Sequence, residues 1–170
     1  MILRPERPTD FAEIRVLIEA AFRTARDADG DEPDFVEQLR PSPGYIPELA
    51  LVAEDNGSIF GHVMLTSTAV ATAAGPHPVL LLAVVAVAPP RQGKGLGARL
   101  VNAGLRRARE QGHTGVMVVG DPAFYGRFGF VTSLTYGIKN INQIPDQFVM
   151  ALELASNGLK AARGTIALPT

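Results

Sequence analysis

The sequence contains no cysteine. Disulfide staples, thiolate nucleophiles and cysteine metal ligands are excluded with it. It also lacks a charge excess: 16 Lys and Arg against 17 Asp and Glu leave a net charge of -1, and no whole-molecule field favours nucleic acid as a partner. Long apolar runs are missing too. The longest, Val79 to Ala88, is too short to span a bilayer as a helix. Charges break the N-terminal stretch "MILRPERPTDFAEI" before the apolar core of a signal peptide can form. A cytoplasmic protein with no membrane partner is the expectation. His62, His77 and His113 share no metal-ligand spacing, so no metal is expected. Repeats, low-complexity tracts and linkers are absent, and 170 residues fit a single domain.

What is present is a clear alternation of strand and helix periods. "ILR" reads as a short strand. Phe11, Ile14, Ile18, Ala21 and Phe22 form a helical stripe behind it, and Asp10 and Glu13 have the spacing of a capping box. "DFVEQLR" predicts a brief second helix, stopped by "PSPG". Two strand-like runs flank Asn56-Gly57, the pair best suited to the positive φ angles of a two-residue hairpin turn. After the breaker "AAGPHP", the unbroken apolar run Val79 to Val87 predicts a strand buried on both faces. Leu96, Leu100, Val101, Leu105 and Ala108 then return to a helical period, with Gly112 placed to end the helix. "TGVMVVG" and "QFVMALEL" predict further strands, and "DPAFYGRFGF" a short helix running into one. The order β-α-α-β-β-β-α-β-α-β-β predicts an α/β sandwich with a mixed sheet.

The chemistry concentrates in "PPRQGKGLGARL", where Gly93, Gly95 and Gly97 fall at the junction of the apolar strand and the long helix. The first N–H groups of a helix have no partners inside it, and the helix dipole adds partial positive charge there. Bare backbone at alternate positions lets an anion approach those groups, with a phosphate or pyrophosphate as the natural occupant. A tight turn that binds nothing is the bland alternative. It explains one glycine better than three, since each adds chain entropy without packing. Neither the Walker pattern nor G-x-G-x-x-G fits: the latter requires glycine at Ala98 or Leu100.

Gln92-x-x-Gly95-x-Gly97 resembles the Q/R-x-x-G-x-G/A signature of the GNAT acyltransferase superfamily, and "VAVAPPRQGKGLG" resembles its strand-loop-helix. Tyr125, Gly129 and Phe130 are similar to its Y-x-x-x-G-F segment. The resemblance runs from Ile2 to about Leu154, leaving 155–170 as a tail, and is strongest to the bacterial YhbS-like branch of predicted N-acetyltransferases. It implies the GNAT fold: a central, mostly antiparallel sheet flanked by helices, with a β-α-β unit for acetyl-CoA. It implies transfer of an acetyl group from acetyl-CoA to a primary amine of a small molecule or protein, by direct attack in a ternary complex. The cradle for the pyrophosphate maps to Gln92, Gly93, Lys94, Gly95, Leu96, Gly97 and Ala98. The strand pairing with the pantetheine arm maps to Val85, Ala86 and Val87, and a homodimer is compatible with the family.

Tyr125 is the expected general acid, because a phenol can return a proton to the departing thiolate. It also belongs to the expected donor-binding set. Packing beside Phe124 and Phe128 is its structural alternative. The base is open between Glu54 and His62, with the loop acids Asp27, Asp31 and Glu32 and a water chain as further routes. No acidic residue lies in Val79 to Val87, where many relatives carry a glutamate. Arg106, Arg107 and Arg109 read as a solvated helix face, and Asp121 stands where family members carry asparagine. The acceptor is expected between the loop "RDADGDEPD" and "TYGIKNINQIPDQ". Two other classes compete: a non-catalytic acyl-CoA-binding sensor and a plain nucleotide-binding protein.

Overall fold

The computed structural model describes residues 1–23 and 30–169.

Asp27, one of the loop acids, lies outside the described residues.

Among the described residues nine strands form one mixed sheet: β1 (Ile2–Pro5), β2 (Tyr45–Asp55), β3 (Ser58–Thr72), β4 (Gly75–Val87), β5 (Gly115–Val119), β8 (Val149–Glu153) and β6 (Val131–Thr132) lie in that order, and β9 (Gly164–Ile166) pairs both β3 and β7 (Ile138–Asn140). Only β4–β5 and β7–β9 are parallel among the described ladders. The chain divides into two compact units: Met1–Thr66 with Ala83–Arg107, and Ser67–Leu82 with Ala108–Thr170.

In the first unit, β1 (Ile2–Pro5) pairs antiparallel with β2 (Tyr45–Asp55), which pairs with β3 (Ser58–Thr72). Asn56 (φ 51°) and Gly57 (φ 81°) make the turn between β2 and β3, as their sequence predicts. Helices α1 (Phe11–Phe22) and α2 (Glu32–Leu39) bury Ile14, Ile18 and Val36 against Ala50, Val52, Met64, Val84 and Ala86. The expected capping box at Asp10 and Glu13 does not form. Asp10 instead accepts hydrogen bonds from the Arg4 guanidinium (2.7 and 3.1 Å) and from Arg7 N (2.8 Å). Glu13 Oε1 accepts from Ile59 N (2.8 Å) and ties α1 to β3. A bidentate ion pair outbids a helix cap for the same carboxylate.

β4 (Gly75–Val87) starts four residues before the expected Val79. Pro76 and Pro78 are tolerated because they sit two apart, so both missing N–H groups face one edge of the strand. Helix α3 (Leu96–Glu110) follows, with Leu96, Leu100, Val101, Leu105 and Ala108 all buried, as its period predicts. Gly61 gives α3 its close approach: a Cβ there would lie 2.6 Å from Leu100 Cδ1.

In the second unit, β5 (Gly115–Val119) pairs antiparallel with β8 (Val149–Glu153), which also pairs with β6 (Val131–Thr132). Helix α4 (Pro122–Tyr125) follows β5. β7 (Ile138–Asn140) goes beyond the expected element order, and β9 (Gly164–Ile166) falls within the segment 155–170. Three residues are too few to show a period. The segment read as a tail supplies Leu159, Ala162, Ile166 and Leu168 to the core of this unit.

Candidate active site

The end of β4 does not keep the two-sided burial its composition suggests. Val79 to Leu82 are buried, but from Ala83 the pattern alternates: Val84 and Ala86 are buried, and Ala83, Val85 and Val87 are half-buried. The parallel ladder to β5 covers only Leu80–Leu82. On the other side, Ala88 N donates to Phe60 O (2.8 Å).

Pro89–Arg91 then form a 3-10 turn, and the glycine loop follows. Gly93 (φ 73°) and Gly95 (φ 85°) adopt the left-handed conformation, which other residues reach only with strain. Among the described residues, chain neighbours aside, nothing lies within 4 Å of a Cβ built on either one. Lys94 between them has no positive φ, and such an alternation turns successive N–H groups toward one concave side. Leu96, Gly97 and Ala98 are the first residues of α3, whose N–H groups have no intrahelical acceptor. Arg99 N is the first to close a turn, onto Gly95 O (3.1 Å). Gln92 donates from Nε2 to Val87 O (2.9 Å), and Lys94 Nζ donates to Pro90 O (3.3 Å). Val85, Ala86, Val87 and the segment Gln92–Ala98 thus form one continuous strand-loop-helix within the first unit.

The two base candidates are both engaged. Glu54 accepts from Arg4 Nε (3.0 Å). His62 is fully buried and its Nε2 lies 2.8 Å from Glu6 Oε1. Glu6 also accepts from Arg40 Nε (2.8 Å) and from the Tyr45 hydroxyl (2.7 Å). Burial alone would raise the Glu6 carboxyl, but hydrogen bonds from His62 and Arg40 hold it at about 2. Burial and the Glu6 carboxylate push the Tyr45 phenol up. This network joins residues up to 56 apart in sequence, and no local pattern announces it. Asp31 precedes α2 and Glu32 opens it.

Tyr125 belongs to the second unit, at the end of α4. Its ring meets Phe124 and Phe130 edge-on, at centroid distances of 4.9 and 5.8 Å. Phe128 instead packs on Phe124. Burial pushes the Tyr125 phenol up to about 12. Asp121 caps α4, accepting from Ala123 N (2.9 Å). Among the described residues no group of three or more His, Cys, Asp or Glu could hold a metal ion, and no helix is long and apolar enough to cross a membrane.

A mixed sheet whose fourth strand feeds a three-glycine loop and a helix defines the class: residues 3–132 match the Acetyltransferase (GNAT) domain, and the chain belongs to that family. The chain is similar to the uncharacterised N-acetyltransferase YhbS of Escherichia coli, 31% identical over 82% of this chain and 78% of the relative. It is also 31% identical to the uncharacterised N-acetyltransferase YjhQ of the same organism, over 72% of this chain and 65% of that protein's length. Among solved structures, Escherichia coli YhbS in complex with CoA matches with a TM-score of 0.85 at 26% identity, over 99% of this chain and 89% of the other. A GNAT acetyltransferase from Brucella melitensis in complex with acetyl-CoA matches with a TM-score of 0.75 at 31% identity, over 91% and 88%.

Proposed function

We propose that the protein transfers an acetyl group from acetyl-CoA to a primary amine of a small molecule or protein, by direct attack in a ternary complex. The observation that carries this reading is the loop at Gly93 and Gly95: left-handed backbone, open space beyond it, and the free N–H groups of α3 directly behind. In the proposal Gln92–Ala98 hold the pyrophosphate and the main chain of Val85–Val87 receives the pantetheine arm. One of those N–H groups stabilises the oxyanion. Tyr125 returns a proton to the thiolate. Residues 1–170 act as one acetyltransferase domain in this reading, since β3, β4 and α3 each run through both units.

The base is assigned to water. Glu54 and His62 already hold partners, and a buried imidazole offers no route to a solvent-borne amine. That engagement also favours a second reading, a sensor that binds acyl-CoA without turnover. Calorimetric titration with CoA tests the shared part, and absence of binding overturns both. Thiol release with a panel of primary amines separates them: the transferase liberates CoA and the sensor does not.

A further inference from the structure

The residue just before the glycine signature is held from outside the loop. Arg91 Nη2 donates to Asp55 Oδ2 at 3.0 Å, and its guanidinium lies 3.9 Å from the centroid of the Phe60 ring. Asp55 ends β2 and Phe60 is the third residue of β3, so they stand on either side of the Asn56-Gly57 turn. Phe60 acts twice, because its carbonyl also accepts from Ala88 N (2.8 Å). The short turn Pro89–Arg91 is therefore fastened to the hairpin at both ends. The other Asp55 oxygen lies 4.0 Å from the Met1 ammonium.

A pair this exposed, 32% for Arg91 and 28% for Asp55, adds little to global stability. Its position matters more. Gln92 and Gly93 follow directly, and a loop with two left-handed glycines has many other conformations to visit. The geometry points to Arg91 as a positioning residue: Asp55 and Phe60 clamp it, and the clamp preorganises the Gln92–Gly97 amides for a diphosphate. This rests on the reading that the loop binds one. Preorganisation improves affinity by removing the ordering penalty from the binding step.

The test uses Arg91→Gln, Asp55→Asn, the double variant and Arg91→Lys, with CoA affinity and amide hydrogen exchange of the unliganded protein as readouts. A clamp predicts that each of Arg91→Gln and Asp55→Asn weakens CoA binding about fivefold, with the double variant no weaker than either single one. Arg91→Lys, which keeps the ion pair, recovers part of the loss. Exchange rises across Gln92–Gly97 while the melting temperature stays unchanged. If Arg91→Gln weakens binding and Asp55→Asn does not, Arg91 meets the phosphate itself and the clamp is overturned. Unchanged affinity and exchange in both variants overturn it as well. Should the wild-type chain bind no CoA, the transferase reading fails, and exchange alone decides the clamp: a rise supports it and no rise overturns it.

Discussion

Gly120 makes room for Tyr125: a Cβ on Gly120 would run into that ring, lying 2.9 Å from Cδ2 and closer still to Cε2. The glycine thereby sets where the phenol sits within its unit. Gly120→Ala is expected to displace the ring and to lower kcat as Tyr125→Phe does, by about 100-fold for loss of a general acid. The affinity for CoA should stay within about twofold if Tyr125 acts in the chemical step only. Steady-state kinetics on both variants check this. Because the phenol is pushed up to about 12, it stays protonated through neutral pH, and no alkaline fall in rate below about pH 11 should disappear with Tyr125→Phe.

Gly95 and Gly112 share nearly one backbone angle, φ 85° and 86°. Gly112 ends α3, where its N–H reaches Arg109 O (3.0 Å). Replacement by alanine should destabilise both positions alike, by about 1–2 kcal/mol. Only Gly95→Ala should also weaken CoA binding, by about tenfold or more. Equal CoA affinity in the two variants would remove the cradle from the mechanism.

Glu6 makes acid stability a specific expectation. Its folded pKa of about 2 lies below the ordinary value of 4.5. The stabilisation is therefore complete above pH 4.5 and is lost as pH falls toward 2. Glu6→Gln should lower stability at neutral pH by about 3 kcal/mol, because Arg40 loses its buried partner. It should also flatten the acid limb of the stability curve measured by urea unfolding. Asp10, lowered by Arg4, keeps part of that limb in the variant.

Glu54→Gln and His62→Gln separate structure from proton transfer. With water as the base, both variants should keep kcat within about fivefold once folded. A general base would instead contribute about 100-fold or more. A loss of that size in either variant, with CoA affinity intact, would identify the base.

The long-period features were legible in the sequence. The α3 stripe and the Asn56-Gly57 turn repeat a signal over many residues or concentrate it in one conformationally special pair. The glycine signature was legible for the same reason. Contacts that join distant positions were not: Glu6 meets His62 and Arg40 across folded strands, and Arg91 meets Asp55 36 residues away. Asp10 shows how a local rule fails, since an arginine six residues back competes for the carboxylate that the helix terminus would use.

The Gln92 amide already satisfies the Val87 carbonyl. A pantetheine arm seeking that oxygen exchanges one hydrogen bond for another, and such exchanges are close to neutral in free energy. Under the proposed function, grip on the donor then comes from its diphosphate end, and the thioester end is the loosely tethered one, quick to leave once its acetyl group has gone.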